Sequence, residues 1–280
     1  MTPDEQKAKA MAFRRMHREP KILVLPNVWD VISARLFEDA GFAAIATTSA
    51  GVAFSLGYPD GEKISREEMV ARVGRIARAV KVPVTADMEA GYGPRPEDAA
   101  RTVREVIEAG AVGMNLEDGT RSGDTRGLAE LSLQVEKIHA VREAALKTGV
   151  LLVLNARTDV YLVKAGDPGK WYDEAVRRLA AYREAGADCG FLIGVMDAET
   201  IGRAVQDVKF PLNILAAPGS PAIPELEKLG VARVTFGSGP MRATLGLLRK
   251  IAGELKSAGT YTTLAGGIPG MEAQELASSR

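Results

Sequence analysis

Short apolar runs alternate with longer stretches of helical periodicity along most of the chain, and most runs end on a polar or acidic residue. The first, Ile22-Leu23-Val24-Leu25-Pro26, leads into Asn27-Val28-Trp29-Asp30, where Asp30 can cap a helix over residues 33–39. Gly41 stops that helix, and residues 43–48 form the second run. A helix, a glycine stop and then a buried strand recur at Ala109-Gly110, Ala185-Gly186 and Leu229-Gly230. The glycine falls where a left-handed helix terminus is needed. The strands after these stops are 112–117, 189–194 and 232–236, and between them lie 82–87, 150–155 and 211–216. Helical patterns at 66–80, 96–109, 131–147 and 171–185 separate the runs, and residues 4–17 form an amphipathic helix ahead of them. Eight runs at about one per 30 residues, the size of a βα unit, predict an α/β fold, a (β/α)8 TIM barrel. No G-x-G-x-x-G follows the first strand, which weakens an open dinucleotide-binding sheet as the alternative. The expected organisation is one domain over 1–280, with the barrel at about 20–256 and a C-terminal helical extension over 257–280. That extension carries Gly259, Gly266, Gly267 and Gly270. It reads either as a mobile end or as an arm packed on a neighbouring subunit.

Composition narrows the class. The 280 residues are 46% hydrophobic and 26% charged, enough apolar material for a full core in a water-soluble chain. Lys+Arg and Asp+Glu both count 36, so nothing points to nucleic acid or an anionic membrane as partner. No run is long enough for a membrane span, and the charged first 20 residues do not resemble a signal peptide. A single cysteine, Cys189, reads as a core side chain and suits a reducing, cytoplasmic setting. With only His17 and His139, a multi-histidine metal site or a histidine triad is not expected.

Barrel enzymes carry their chemistry at the carboxyl ends of the strands, and those ends are polar here. In Val82–Gly93 the third run stops on Asp87-Met88-Glu89, two acids on one side of an extended backbone, with Gly91 and Gly93 turning the chain behind them. Such a pair can hold a divalent metal, although acid pairs also cap helices. The fourth run ends on Glu117-Asp118, the fifth on Asn155-Ala156-Arg157-Thr158-Asp159, the second on Thr48-Ser49-Ala50-Gly51 and the seventh near Asn213. Asp87, Glu89 and Glu117 together read as a magnesium site, with manganese as the alternative ion, and not every acid need touch it directly. Arg157 is either a salt bridge between strand ends or a fork for a substrate carboxylate or oxyanion. Backbone N–H groups at Ser49, Ala50 and Gly51 can hold a carboxylate, and Asn213 is a further substrate contact. The loop over 54–65, with Asp60 in a Pro-Asp-Gly turn, is long for a barrel and reads as a cover. A polar loop over 117–127 lies above the same face.

Taken together, PNVWDVISARL, TTSAGVAFSLGYPDGE, ADMEAGYG, NLEDG and NARTDVYL, in that order, resemble the isocitrate lyase/phosphoenolpyruvate mutase superfamily over about residues 20–256. The resemblance implies a barrel that binds Mg²⁺ and a small 2-oxo or 2-hydroxy carboxylic acid. It also implies a homo-oligomer, dimer or tetramer, with a terminal helix exchanged between subunits. It would give Asp87, Glu89 and Glu117 to the metal and Ser49, Ala50 and Gly51 to the substrate carboxylate. Arg157 would face the oxyanion, with Asp60 near metal water or substrate. The family's lyases carry Lys-Arg-Cys-Gly in the mobile loop. Here the matching stretch is Thr120-Arg121-Ser122-Gly123, so Ser122 stands where the acid would, and it is a far poorer proton donor than a thiol. The expected activity is carbon–carbon cleavage through a pyruvate-like enolate. The rivals are carbon–phosphorus chemistry, with Arg121 or Arg126 on a phosphonyl group, and a silent keto-acid-binding protein.

Overall fold

The computed structural model describes residues 2–122 and 125–278, without the side chain of Ser122. Its main sheet is parallel throughout and runs Leu23–Leu25, Arg233–Thr235, Leu212–Leu215, Cys189–Leu192, Val153–Thr158, Gly113–Glu117, Val84–Asp87, Ile45–Thr47, Asn27–Val28. The two edge segments are consecutive in the chain. Pro26, which has no N–H to give the ladder, splits one strand into a half that pairs with Arg233–Thr235 and a half that pairs with Ile45–Thr47. The sheet therefore closes into an eight-stranded barrel, as the pattern predicts.

Local chemistry explains the outer helices. Pro96–Glu108 starts with proline in its first turn, and its buried Ala99, Thr102, Val103, Val106 and Ile107 repeat at helical spacing. Burying each such valine or isoleucine contributes about 1.5–3 kcal/mol. Gly110, Gly186 and Gly230 have φ of 103°, 100° and 87°, the left-handed stops that turn each helix back into a strand.

The first helix, Pro3–Met16, closes the amino end of the barrel. Thr2 and Glu5 cap it reciprocally, and Gln6 Nε2 donates to the carbonyls of Ile107 and Ala111 just ahead of the fourth strand. Phe13 and His17 are buried beneath the strands in an edge-to-face contact. Arg14 pairs with Asp188 at 2.5 Å, which ties the helix to the start of the sixth strand.

Two expectations need correction. The fifth strand runs on to Thr158 instead of ending at Asn155, because its ladder with the fourth continues through Glu117 opposite Arg157. The loop over 117–127 is an antiparallel hairpin, Gly119–Ser122 with Thr125–Leu128. The tail docks on its own chain: Leu276 is buried, and Arg35 Nη1 donates to the carbonyls of Leu276 and Ser278 at 2.5 Å each. Before it, Gly239–Ser257 touches the barrel at its start and buries only Met241 among its residues. Among the described residues no helix is long and apolar enough to cross a membrane.

Candidate active site

The carboxyl ends of the third, fourth and fifth strands bring Asp87, Glu117 and Arg157 side by side. Asp87 pairs in register with Asn115, and Glu117 with Arg157. Neighbours in a parallel ladder point to the same face, here the barrel axis. Glu89 arrives differently from the expected extended spacing. The strand stops at Asp87, and Glu89 takes φ of 50°, so a turn and not strand alternation brings the two acids together.

Asp87 is held on both oxygens. Oδ2 accepts from the Ser49 N–H at 3.0 Å and the Ser49 hydroxyl at 2.9 Å; Oδ1 accepts from Asn115 Nδ2 at 3.3 Å. Asn155 Nδ2 donates to Asn115 Oδ1 at 2.8 Å, which orients the Asn115 amide with its NH2 toward Asp87. Thr48 caps the short helix Ser49–Ser55 by accepting from the Gly51 N–H. Ser49, Ala50 and Gly51 thus form a helix start beside Asp87.

Arg157 is clamped between two acids. Its Nε and Nη2 donate to Asp159 at 2.5 and 3.0 Å, and Nη1 lies 2.6 Å from Glu117 Oε2. A guanidinium has five N–H groups. Three are used by the described residues, which leaves one on each terminal nitrogen without a partner among them. Desolvation works against this cation, but Glu117 and Asp159 outweigh it and raise its pKa. Phe191 lies under the guanidinium at 5.8 Å. Asp159 in turn is placed by Asp118, a buried carboxylate that accepts from its N–H at 2.7 Å. Asp118 also accepts from Thr158 Oγ1, Tyr182 Oη and Arg178 Nη1 at 2.8, 2.6 and 3.1 Å. Gly119 leaves the space Asp159 needs, since a Cβ there would stand 2.6 Å from Asp159 Oδ2.

The acids oppose one another. Burial, followed by Asp60, Asp87 and Glu62, pushes the Glu89 carboxyl up to about 8. Burial and Asp87 raise Asp60, with Arg121 and Arg157 opposing; burial also raises Glu117, against the pull of Arg157. Asp60 Oδ1 is 3.5 Å from the Ser49 hydroxyl, and Asp60 Oδ2 lies 3.9 Å from Arg121. Among the described residues no group of three or more His, Cys, Asp or Glu is disposed to hold a metal ion by itself. The concentrated negative charge fits an ion that keeps most of its waters, as Mg²⁺ does.

Two expected residues stand apart. Asn213 is fully buried in the barrel interior, where its amide exchanges hydrogen bonds with Thr235 Oγ1 at 3.3 and 3.4 Å. Ser122 has its backbone in the hairpin, and its side chain lies outside the described part. Asp159, Asn115 and Glu62 were not assigned from sequence. The NARTD stretch held the signal for Asp159, because a residue two positions beyond Arg157 can fold back on it.

A closed parallel barrel with buried acids and a clamped arginine at the carboxyl ends of its strands is the anatomy of a barrel enzyme. The phosphoenolpyruvate phosphomutase family matches residues 13–256, and the chain belongs to the isocitrate lyase/phosphoenolpyruvate mutase superfamily, as one of its lyases or mutases. It is similar to oxaloacetate decarboxylase 2 of Pseudomonas fluorescens (strain Pf0-1), at 31% identity over 81% of this chain and 79% of that one. It is also similar to 2-methylisocitrate lyase of Bacillus subtilis (strain 168), at 29% identity over 91% and 84%. A solved structure of a lyase/mutase from Burkholderia cenocepacia J2315 superimposes with a TM-score of 0.92 at 38% identity, covering 99% of this chain and 98% of that one.

Proposed function

We propose that the chain is a divalent-metal-dependent lyase that cleaves a carbon–carbon bond in a small 2-oxo or 2-hydroxy carboxylic acid through a pyruvate-like enolate. The observation that carries this reading is Arg157, locked by Glu117 and Asp159, with two N–H groups unpartnered among the described residues and with Asp87 and Asp60 near enough to act on its charge. In this reading Asp87, Glu89 and Glu117 hold Mg²⁺ or Mn²⁺, partly through water. When bound, the ion supplies Lewis acidity at the substrate's carbonyl or alkoxide oxygen. Ser49, Ala50 and Gly51 seat the substrate carboxylate at the helix start. Those two N–H groups of Arg157 take the charge that develops on oxygen as the bond breaks, and they need no reorganisation to do so. Asp60 stands beside Ser49 on the cover loop, its pKa raised by burial and by Asp87, where a carboxyl group can take part in proton transfer. Cleavage that leaves a stabilised enolate does not demand a strong acid at Ser122.

One observation favours the phosphorus branch as a second reading. Arg121 and Arg126 face each other in the hairpin register, a like-charge pair that a doubly charged phosphonyl group would relieve. Pyruvate release from oxaloacetate, 2-methylisocitrate, isocitrate and phosphonopyruvate, with and without Mg²⁺, decides between them. Turnover of a carbon-only acid that is lost in Asp87→Ala supports the lyase; turnover of phosphonopyruvate alone moves the chain to the other branch. Keto-acid binding without turnover sinks both.

The same reading extends to assembly. Gly239–Ser257 exposes Leu245, Leu247, Leu248 and Leu255, and an apolar cavity of 480 Å³ opens at its root between Leu215, Pro218, Phe236 and Ala243. A homo-oligomer that exchanges this helix would cover both. Light scattering of wild type against Leu248→Asp tests it, and a monomeric wild type would refute it.

A further inference from the structure

Two loops meet beside Glu89 in a reciprocal pair of hydrogen bonds. The Glu62 N–H donates to Glu89 Oε2 at 2.8 Å, and Glu62 Oε1 accepts from the Tyr92 N–H at 2.7 Å. Glu62 belongs to the cover loop between Ser49–Ser55 and Arg66–Ala79, whereas Glu89 and Tyr92 belong to the turn after the third strand. The buried Lys137, on helix Leu131–Thr148, also donates to the carbonyls of Ala90 and Gly93 at 3.0 and 2.8 Å. The turn is thus held by the cover loop and by a helix.

Backbone geometry marks the same place. Among the described residues five non-glycines have positive φ, and two of them, Lys164 and Lys209, are helix C-caps where that conformation is ordinary. The other three are Glu62, Glu89 and Tyr92, at 54°, 50° and 58°. Left-handed backbone at such residues persists only where the surroundings over-determine it. Here the two bonds of Glu62 join all three. Asp60 lies only two residues before Glu62, with its carboxylate toward Ser49.

We infer that Glu62 is a positioning residue that makes the cover loop and Glu89 move as one unit, so that the acid cluster is complete only when the loop is closed. The inference rests on reading that cluster as the metal and substrate site. Withdrawing the loop removes the N–H that orients Glu89 and carries Asp60 away with it; closing the loop delivers both together. Glu62 acts on Tyr92 as a side-chain acceptor, so glutamine, whose Oε1 still accepts, preserves the clasp, whereas alanine removes the bond to Tyr92 and leaves the backbone N–H to Glu89 without that support.

The test uses the full chain as wild type, Glu62→Ala and Glu62→Gln. Mn²⁺ affinity is measured by electron paramagnetic resonance, and hydrogen exchange over 57–65 and 88–93 is followed with and without Mn²⁺. Loss of a residue that orients a metal carboxylate typically weakens metal binding by about 10-fold or more. That weakening is expected in Glu62→Ala, with faster exchange in both segments together and a fall in kcat, while Glu62→Gln stays near wild type. Unchanged Mn²⁺ affinity and exchange in Glu62→Ala overturn the inference. So does a Glu62→Gln variant as impaired as Glu62→Ala. A wild-type chain that binds no Mn²⁺ fails the reading of the site instead. Exchange in the metal-free protein then decides the clasp: joint opening of the two segments in Glu62→Ala supports it, and no joint opening overturns it.

Discussion

The two ends of the barrel each bury an arginine, and they treat it in opposite ways. At the open end Arg157 is clamped by two carboxylates within 3.0 Å. At the closed end, among the described residues, no carboxylate pairs with Arg233. Its partners there are His17 Nε2 at 3.5 Å and Asn115 Oδ1 at 3.3 Å, and its Nε has none. Burial accordingly lowers Arg233 to about 10, pushes the Cys189 thiol up to about 12 and holds His17 neutral, its pKa down to about 3. Inside the closed end the charge is a single poorly partnered cation, and the ion pair of Arg14 with Asp188 is separate from it. The open end concentrates charge of one sign and answers it with one fixed cation, an arrangement that costs folding energy and is useful only if a ligand joins it.

The largest effect that sharpens this contrast is catalytic. Arg157→Ala should lower kcat/KM by about 10³-fold, the scale of losing a preorganised oxyanion donor, while Arg233→Met changes it far less. Steady-state kinetics on the substrate found by the pyruvate assay measures both. Stability should separate the two arginines next. Arg157→Met strands Glu117 and Asp159 and should cost about 3–5 kcal/mol, whereas Arg233→Met removes a poorly partnered buried charge and should lie within about 1 kcal/mol of wild type. Equal losses in urea unfolding would break the comparison.

The smaller effects are in pH, and the two ends should tilt in opposite directions. Glu89 is raised in the folded chain, to about 8 from 4.5, so the folded state holds a proton that the unfolded state has lost across that window. Its contribution is complete below about 4.5 and disappears as pH rises through 8. His17 is lowered to about 3 from 6.5, so its contribution is complete above 6.5 and is lost as pH falls toward 3. Glu89→Gln should flatten the alkaline decline in Tm of the metal-free protein, and His17→Phe the acidic one, at about 2–4 °C per kcal/mol. Mg²⁺ should raise Tm more at pH 8 than at pH 5.5. Differential scanning calorimetry in chelator, with Mg²⁺ added back for the last comparison, reads all three. Matching slopes in the two variants would contradict the assignment of each limb to one end.

Most of the barrel was legible because its signals are local. Gly110, Gly186 and Gly230 announce a helix stop within a few residues of the next strand, and the apolar runs are too short for helices. The acids and Arg157 were legible for the same reason, since each ends its own run. What escaped reading depends on pairs far apart in sequence. The fifth strand extends because Glu117 opposite Arg157 continues its ladder, and nothing between Asn155 and Thr158 says so. Asn213 looked like a strand-end residue, but its strand runs on to Leu215 and leaves it below the rim against Thr235. The turn at Glu89 could not be foreseen from a spacing of two. The partner that holds the Glu89 carboxylate is the Glu62 N–H, 27 residues earlier.

Gly119 gives the fold a border. A side chain there would strike Asp159 and through it unseat Arg157, yet Thr120 and Arg121 beyond it are exposed and neither is needed to hold the arginine. The hairpin can therefore drift in length and composition across generations while Gly119 at its root stays pinned. If Arg157 serves the reaction as proposed, the exposed Thr120 and Arg121 are places where substrate preference can change without touching the residues that hold that cation.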